Sequence, residues 1–138
     1  MAERAEKLAH DESYRQRFDV VLSRGVAKLA TLAELALPFC SLGGAFIAMK
    51  KGEIAEEVSA AAKAIDILGG RLREVKLVSL GESESDGCTK LGEIEKDGWR
   101  VWWEFEKRAL VIIDKLTPTP QRYPRRPGIP QKRPLFVL

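Results

Sequence analysis

Histidine occurs once, cysteine twice, and no apolar run reaches the roughly 20 residues that a membrane-crossing helix needs. The one imidazole, His10, stands beside Asp11 in what reads as a loop or helix start, and it suits a surface position better than a general base. Cys40 and Cys88 have no second ligand at metal-type spacing, so reduced structural thiols, no metal site and an intracellular compartment are expected. The first residues, Met1-Ala2-Glu3-Arg4-Ala5-Glu6-Lys7, mix both charges and lead into no apolar stretch, unlike a secretory signal. Also absent are a Gly-x-Ser-x-Gly turn, carboxylates at a hydrolytic spacing and a glycine-rich phosphate loop. Gly43-Gly44 and Gly69-Gly70 read as helix exits, where glycine serves the backbone. The catalytic inventory is therefore thin.

Acid is missing from one whole region. Residues 115–138 hold six Lys or Arg, six of the seven prolines and no Asp or Glu, a formal +6 in a chain of +3 overall. The first 114 residues therefore sum to −3. Proline keeps such a backbone largely extended, spaces the arginines and limits the entropy lost when they meet phosphates. A polyanionic partner is one reading, and a solvated, partly disordered tail is the other. A third follows from Pro124-Arg125-Arg126-Pro127 and Pro127-Gly128-Ile129-Pro130, whose spacing proline-recognition domains accept.

With 138 residues and 45% hydrophobic content, the chain can bury one core. Residues 18–23 form a short apolar run, β-branched at its centre, that predicts a buried strand ending at Arg24-Gly25. Leu29, Leu32, Leu35 and Phe39 then recur at helical steps until Pro38 weakens the last turn. A second buried strand is expected over 45–49. Ile54, Val58, Ala61, Ile65 and Leu68 mark one face of a helix that Gly69-Gly70 caps. A third strand is expected over 71–80, then a polar loop over 81–98. Trp99, Val101, Trp103 and Phe105 alternate on one face, and 109–113 is strongly apolar, so these two stretches predict a closing hairpin. The tryptophans could stack bases, although packing within the hairpin explains their alternation more simply. Strand, helix, strand, helix, strand implies an α/β fold with a parallel sheet, with an antiparallel strand entering or flanking it.

Ligands of open α/β sheets gather beyond the carboxyl ends of the strands. Arg24 falls there after the first strand, and Lys50 with Lys51 after the second. An arginine so placed can grip a carboxylate or phosphate with two hydrogen bonds, and the competing reading is a solvated cation at a strand end.

Arg4-Ala5-Glu6, Phe18-Asp19-Val20-Val21, Ser23-Arg24-Gly25-Val26-Ala27, Leu37-Pro38-Phe39, Gly43-Gly44, Ala48-Met49-Lys50 and the tail from Thr117 to Pro130 occur in an order that resembles the RsmG (GidB) family of 16S rRNA guanine-N7 methyltransferases. The resemblance spans nearly the whole chain except residues 81–107, whose Trp-rich stretch looks like an insertion. It implies a Rossmann-like class I methyltransferase sheet in partial form, with its first strands and glycine-containing loop missing, over residues 1–116. Residues 117–138 would be a Pro/Arg-rich basic tail. S-adenosyl-L-methionine is the implied cofactor, and 16S rRNA or the small ribosomal subunit the implied partner. A monomer without a membrane partner is expected, in bacterial cytoplasm or in a plant plastid. By this resemblance Ala5 and Glu6 would lie against the adenine end of the cofactor and Arg24 at its methionine end. Lys50 would face the substrate, and Arg122, Tyr123 and Arg125 would contact rRNA. No catalytic residue is implied. Two departures stand out: Gly25 replaces a more usual alanine, and Lys51 separates Lys50 from Gly52. The alternative function is a non-catalytic RNA-binding remnant of the same fold.

Overall fold

The computed structural model describes residues 2–24, 27–51, 54–79, 92–96, 99–103 and 107–135. In chain order these hold α1 (Ala5–Leu8), β1 (Phe18–Arg24), α2 (Leu29–Ala36), a 3-10 turn (Leu37–Phe39), β2 (Cys40–Lys51), α3 (Ala55–Ile67), β3 (Gly70–Ser79), β4 (Gly92–Lys96), β5 (Trp99–Trp103), β6 (Lys107–Lys115) and α4 (Ile129–Lys132). Four strands form one sheet in the order β1-β2-β6-β3. β1 and β2 are parallel, with Arg24 opposite Met49 at their ends. β6 runs antiparallel to both β2 and β3, so the three strands expected from the sequence share one direction.

The expected closing hairpin is corrected. β5 pairs with β4, Lys96 opposite Trp99, and not with β6. The intervening sequence is Asp97-Gly98, a pair that two-residue hairpin loops favour, and it falls in a stretch read as plain loop. β6 instead lies between β2 and β3, with Ala109, Val111 and Ile113 fully buried on its helix side. The side-chain alternation expected for Trp99, Val101, Trp103 and Phe105 lies outside the described residues.

β2 also runs further than expected, taking in Gly43-Gly44 instead of starting after them. A Cβ on Gly44 would meet the Asp19 carbonyl oxygen at 2.6 Å, so this glycine permits close approach of β1 rather than ending a helix. Gly69, with φ of +90°, does cap α3 as expected.

Helices α2 and α3 pack on one another and on the sheet. Pleating sends Phe46 and Ala48 of β2, with Ala109, Val111 and Ile113 of β6, to the helix side, where all five are fully buried. Each large aliphatic or aromatic side chain buried there stabilises the fold by roughly 1.5–3 kcal/mol. From α3 the core receives Ala61 and Ile65, flanked by Ile54 and Leu68, as its periodicity predicts. α2 differs: Thr31, Ala33 and Glu34 are buried alongside Leu29 and Leu32. The helix meets the sheet, α3 and the 117–135 segment on different sides, so a single apolar stripe does not describe it.

β1 is a strand, but not a buried one. Phe18, Val20 and Leu22 are 44%, 56% and 65% exposed. β1 stands at the edge of the sheet, and Val20 and Leu22 project from the face opposite α2 and α3. An apolar run identifies extended structure, but it does not say on how many sides the strand has neighbours.

Candidate functional site: the sheet edge and the basic segment

The parallel register of β1 and β2 places Arg24 and Lys50 at one carboxyl edge. Arg24 is exposed there. Beside it, Ser23 Oγ is buried without a hydrogen-bond partner. Lys50 is 7% exposed; its ammonium donates to the Ala27 carbonyl at 2.6 Å and pairs with Glu57 at 2.8 Å. Glu57 Oε1 accepts a further bond from the Leu29 backbone N–H at 2.7 Å, so one carboxylate of α3 ties the end of β2 to the start of α2. Lys50 is thus an internal strut, whereas Lys51 is exposed.

Ala5 and Glu6 begin α1, which packs on α2. Burial alone would raise the Glu6 carboxyl, but its own backbone N–H, the Gly128 N–H at 3.4 Å and Arg4 at 3.4 Å together hold it below its usual range. The contacts of Glu6 therefore run to the carboxyl-terminal segment, while those of Lys50 run to α3. Glu6, Arg24 and Lys50 share no described contact.

The basic segment is not the largely extended arm that its prolines suggest; it folds against the body through turns and α4. Arg15 is the principal clasp. Its guanidinium donates to the carbonyls of Ala9 and Tyr123 at 2.9 Å and of Thr119 and Pro120 at 3.0 Å. His10 Nε2 donates to the Pro124 carbonyl at 2.6 Å. Gln16 Oε1 accepts from the Thr119 N–H at 3.0 Å, and Thr31 Oγ1 donates to the Pro130 carbonyl at 2.9 Å. Lys115, fully buried, donates to the Leu37 carbonyl at 2.6 Å and to Thr119 Oγ1. Burial pushes the Lys115 ammonium down to about 8 and the neighbouring Cys40 thiol up to about 11.

The expected RNA contacts divide within this segment. Arg122 is exposed, its guanidinium carbon 5.0 Å from the centroid of the Tyr123 ring. Tyr123 is 6% exposed and belongs to the core. Arg125 Nε donates to Glu34 Oε1 at 2.8 Å, and Nη2 reaches the Arg133 carbonyl at 2.5 Å. Glu34 is fully buried, its Oε2 is unpartnered, and burial raises its carboxyl despite the opposing pull of Arg125. Arg126, Lys132 and Arg133 are exposed. Sequence reading passed over Arg15, Glu34 and Lys115. Two of them carried a signal: Glu34 is the only charge between Leu29 and Phe39, and Lys115 continues the buried period-two series of Ala109, Val111 and Ile113.

Sheet and helices together define a mixed α/β protein with cations at a strand-end edge and on a packed carboxyl-terminal segment. Residues 1–85 match the family model described as rRNA small subunit methyltransferase G, or GidB. The chain belongs to this family. It is 44% identical over 136 residues to the ribosomal RNA small subunit methyltransferase G of Dehalococcoides mccartyi, covering 99% of this chain and 49% of that protein. The proteins of the same name from Clostridium novyi and Pelotomaculum thermopropionicum are 42% and 41% identical, each over 96% of this chain and 46% of its own length. The chain thus spans about half the length of the curated relatives it matches.

Proposed function

We propose that this chain is the carboxyl-terminal portion of an S-adenosylmethionine-dependent methyltransferase that modifies guanine N7 of 16S rRNA in the small ribosomal subunit. Residues 1–116 supply part of a Rossmann-like sheet, and residues 117–138 face the RNA. The observation that carries this reading is the family match over residues 1–85. The chemistry agrees with it. Guanine N7 is an unprotonated acceptor on a base edge, so it can take a methyl group without first losing a proton. Such a transfer asks for alignment and electrostatics, and the scarcity of histidine is no obstacle.

When bound, S-adenosylmethionine supplies an electrophilic methyl group. The described residues fit it at one end only. The unpartnered Ser23 hydroxyl and exposed Arg24 suit the charged methionine end. At the adenine end the Glu6 carboxylate is already engaged by Arg4 and Gly128. Half a pocket implies weak or no cofactor binding by the 138 residues alone, and calorimetry giving micromolar affinity would refute that. For transfer itself, the chain joined to the unmatched half of the D. mccartyi relative should label 16S rRNA from tritiated S-adenosylmethionine. Failure of that chimera, once shown to be folded, would overturn the assignment.

For RNA contact, Arg122, Arg126 and Arg133 are the stronger candidates, since Tyr123 and Arg125 are used within the fold. A second reading, a non-catalytic RNA-binding remnant, draws on the internal engagement of both Glu6 and Lys50. RNA affinity without methyl transfer by the chimera would favour it. An intracellular setting without a membrane partner suits either reading. Among the described residues no helix is long and apolar enough to cross a bilayer.

A further inference from the structure

A buried carboxylate is a costly choice for α2. Glu34 is fully buried, has one cationic partner and leaves one oxygen without a donor. Removing two charges from water often costs more than their attraction returns, and apolar replacements of similar volume are commonly neutral or stabilising. Stability alone is therefore a poor account of this pair. Its geometry offers a better one.

Arg125 connects three places. Its Nε is held by Glu34 on α2, its backbone lies between Arg122 and Arg126, and its Nη2 grips the carbonyl of Arg133. Thr31, one turn before Glu34, holds the Pro130 carbonyl, and Glu6 accepts from Gly128. Within the turn, Lys132 N–H donates to the Gly128 carbonyl at 3.1 Å and Arg133 N–H to that of Ile129 at 2.8 Å. Pro130 is fully buried beneath these contacts, while Arg122, Arg126 and Arg133 remain exposed. Arginine suits the central position because one planar fork can serve a carboxylate and a carbonyl together.

We infer that Glu34 is a positioning residue: by seating Arg125 it fixes the turn over residues 122–133 so that Arg122, Arg126 and Arg133 meet RNA phosphates as one preorganised cationic surface. The inference rests on the RNA reading above and adds to it the residue that orders the surface.

The decisive variant is Glu34→Gln, because it makes the chain more positive. If charge alone governed affinity, it would bind RNA more tightly. If Glu34 positions the arginines, it binds more weakly. Affinity of the full 138-residue chain for transcribed 16S rRNA is measured between 50 and 300 mM KCl. Arg122→Ala/Arg126→Ala should bind about tenfold more weakly near 100 mM salt, with a salt slope reduced by about 1–2, as expected for one or two lost phosphate contacts. Glu34→Gln and Arg125→Lys should reproduce both changes while keeping the circular dichroism of the parent. Glu34→Leu replaces Glu34→Gln should the latter unfold. Binding by Glu34→Gln as tight as the parent, with the double arginine variant weakened, would overturn the positioning role and leave the RNA reading intact. Unchanged affinity in the double arginine variant would overturn the RNA reading, and the inference with it.

Discussion

Lys115 and Cys40 predict an unusual stability profile in alkaline solution. The Lys115 ammonium titrates near 8 when folded against an ordinary 10.5, because it is buried against a carbonyl and a hydroxyl, with Arg15 nearby and no carboxylate paired to it among the described residues. Between those values the unfolded chain holds more protons than the folded one, so stability rises with pH. At 1.36 kcal/mol per unit, the full rise would be about 3 kcal/mol. Cys40 acts in the opposite sense: its thiol titrates near 11 when folded against an ordinary 9.0, so the folded chain holds the extra proton and stability falls across that window. The two nearly cancel above pH 9. The parent should therefore gain about 1 kcal/mol between pH 8 and 9 and then level off. Cys40→Ala should keep gaining up to pH 10.5, and Lys115→Met should lose the rise altogether. Urea unfolding at fixed temperature and ionic strength, at half-unit steps from pH 7.5 to 10.5, measures this directly. A rise that persists in Lys115→Met, or a parent profile flat from pH 8 to 9, would refute the assignment of the buried ammonium.

Two further outcomes follow from the contacts of the basic segment. Arg15→Ala removes a guanidinium bonded to four carbonyls and should cost about 2–4 kcal/mol, at the level of hydrogen bonds to a charged group. It should also speed tryptic cleavage after Arg122 while the sheet signal is retained, and an unchanged cleavage rate would count against the clasp. Gly69→Ala should cost more than about 2 kcal/mol, since the residue has φ of +90° and a Cβ would stand 2.1 Å from the Thr117 carbonyl oxygen. Thermal unfolding should show the midpoint falling by roughly 8 °C, and a loss under 2 °C would mean that the turn relaxes freely.

What the sequence disclosed depends on whether a feature is local. The face of α3 was legible because Ile54, Ala61, Ile65 and Leu68 all point to one neighbour. The positions of β1, β2 and β3 were legible as well, and so was the turn at Gly69. Pairing was less so. β6 and β5 are consecutive and both extended, yet β6 enters the sheet between β2 and β3 while β5 pairs with β4. The edge position of β1 was invisible for the same reason, because periodicity records faces and not neighbours.

The basic segment shows most clearly where local reading stops. Its arginines and prolines have the composition of a solvated arm, and nothing within residues 117–135 contradicts that. The contrary information sits roughly 90 to 115 residues earlier, in His10, Arg15, Gln16, Thr31 and Glu34. Proline has no backbone N–H to give, so a proline-rich stretch offers carbonyls in excess. Donors from elsewhere in the chain can then fold it with only the single short helix α4 of its own. Three of the five residues supply what that arithmetic requires: Arg15 and His10 bring N–H donors and Thr31 a hydroxyl, while Gln16 and Glu34 accept, from the Thr119 N–H and the Arg125 side chain. The segment is thus ordered by side chains reaching its backbone, and the arginines left over from that ordering, Arg122, Arg126 and Arg133, stay exposed. Composition gives the segment its charge, whereas the contacts decide which of its cations stay exposed.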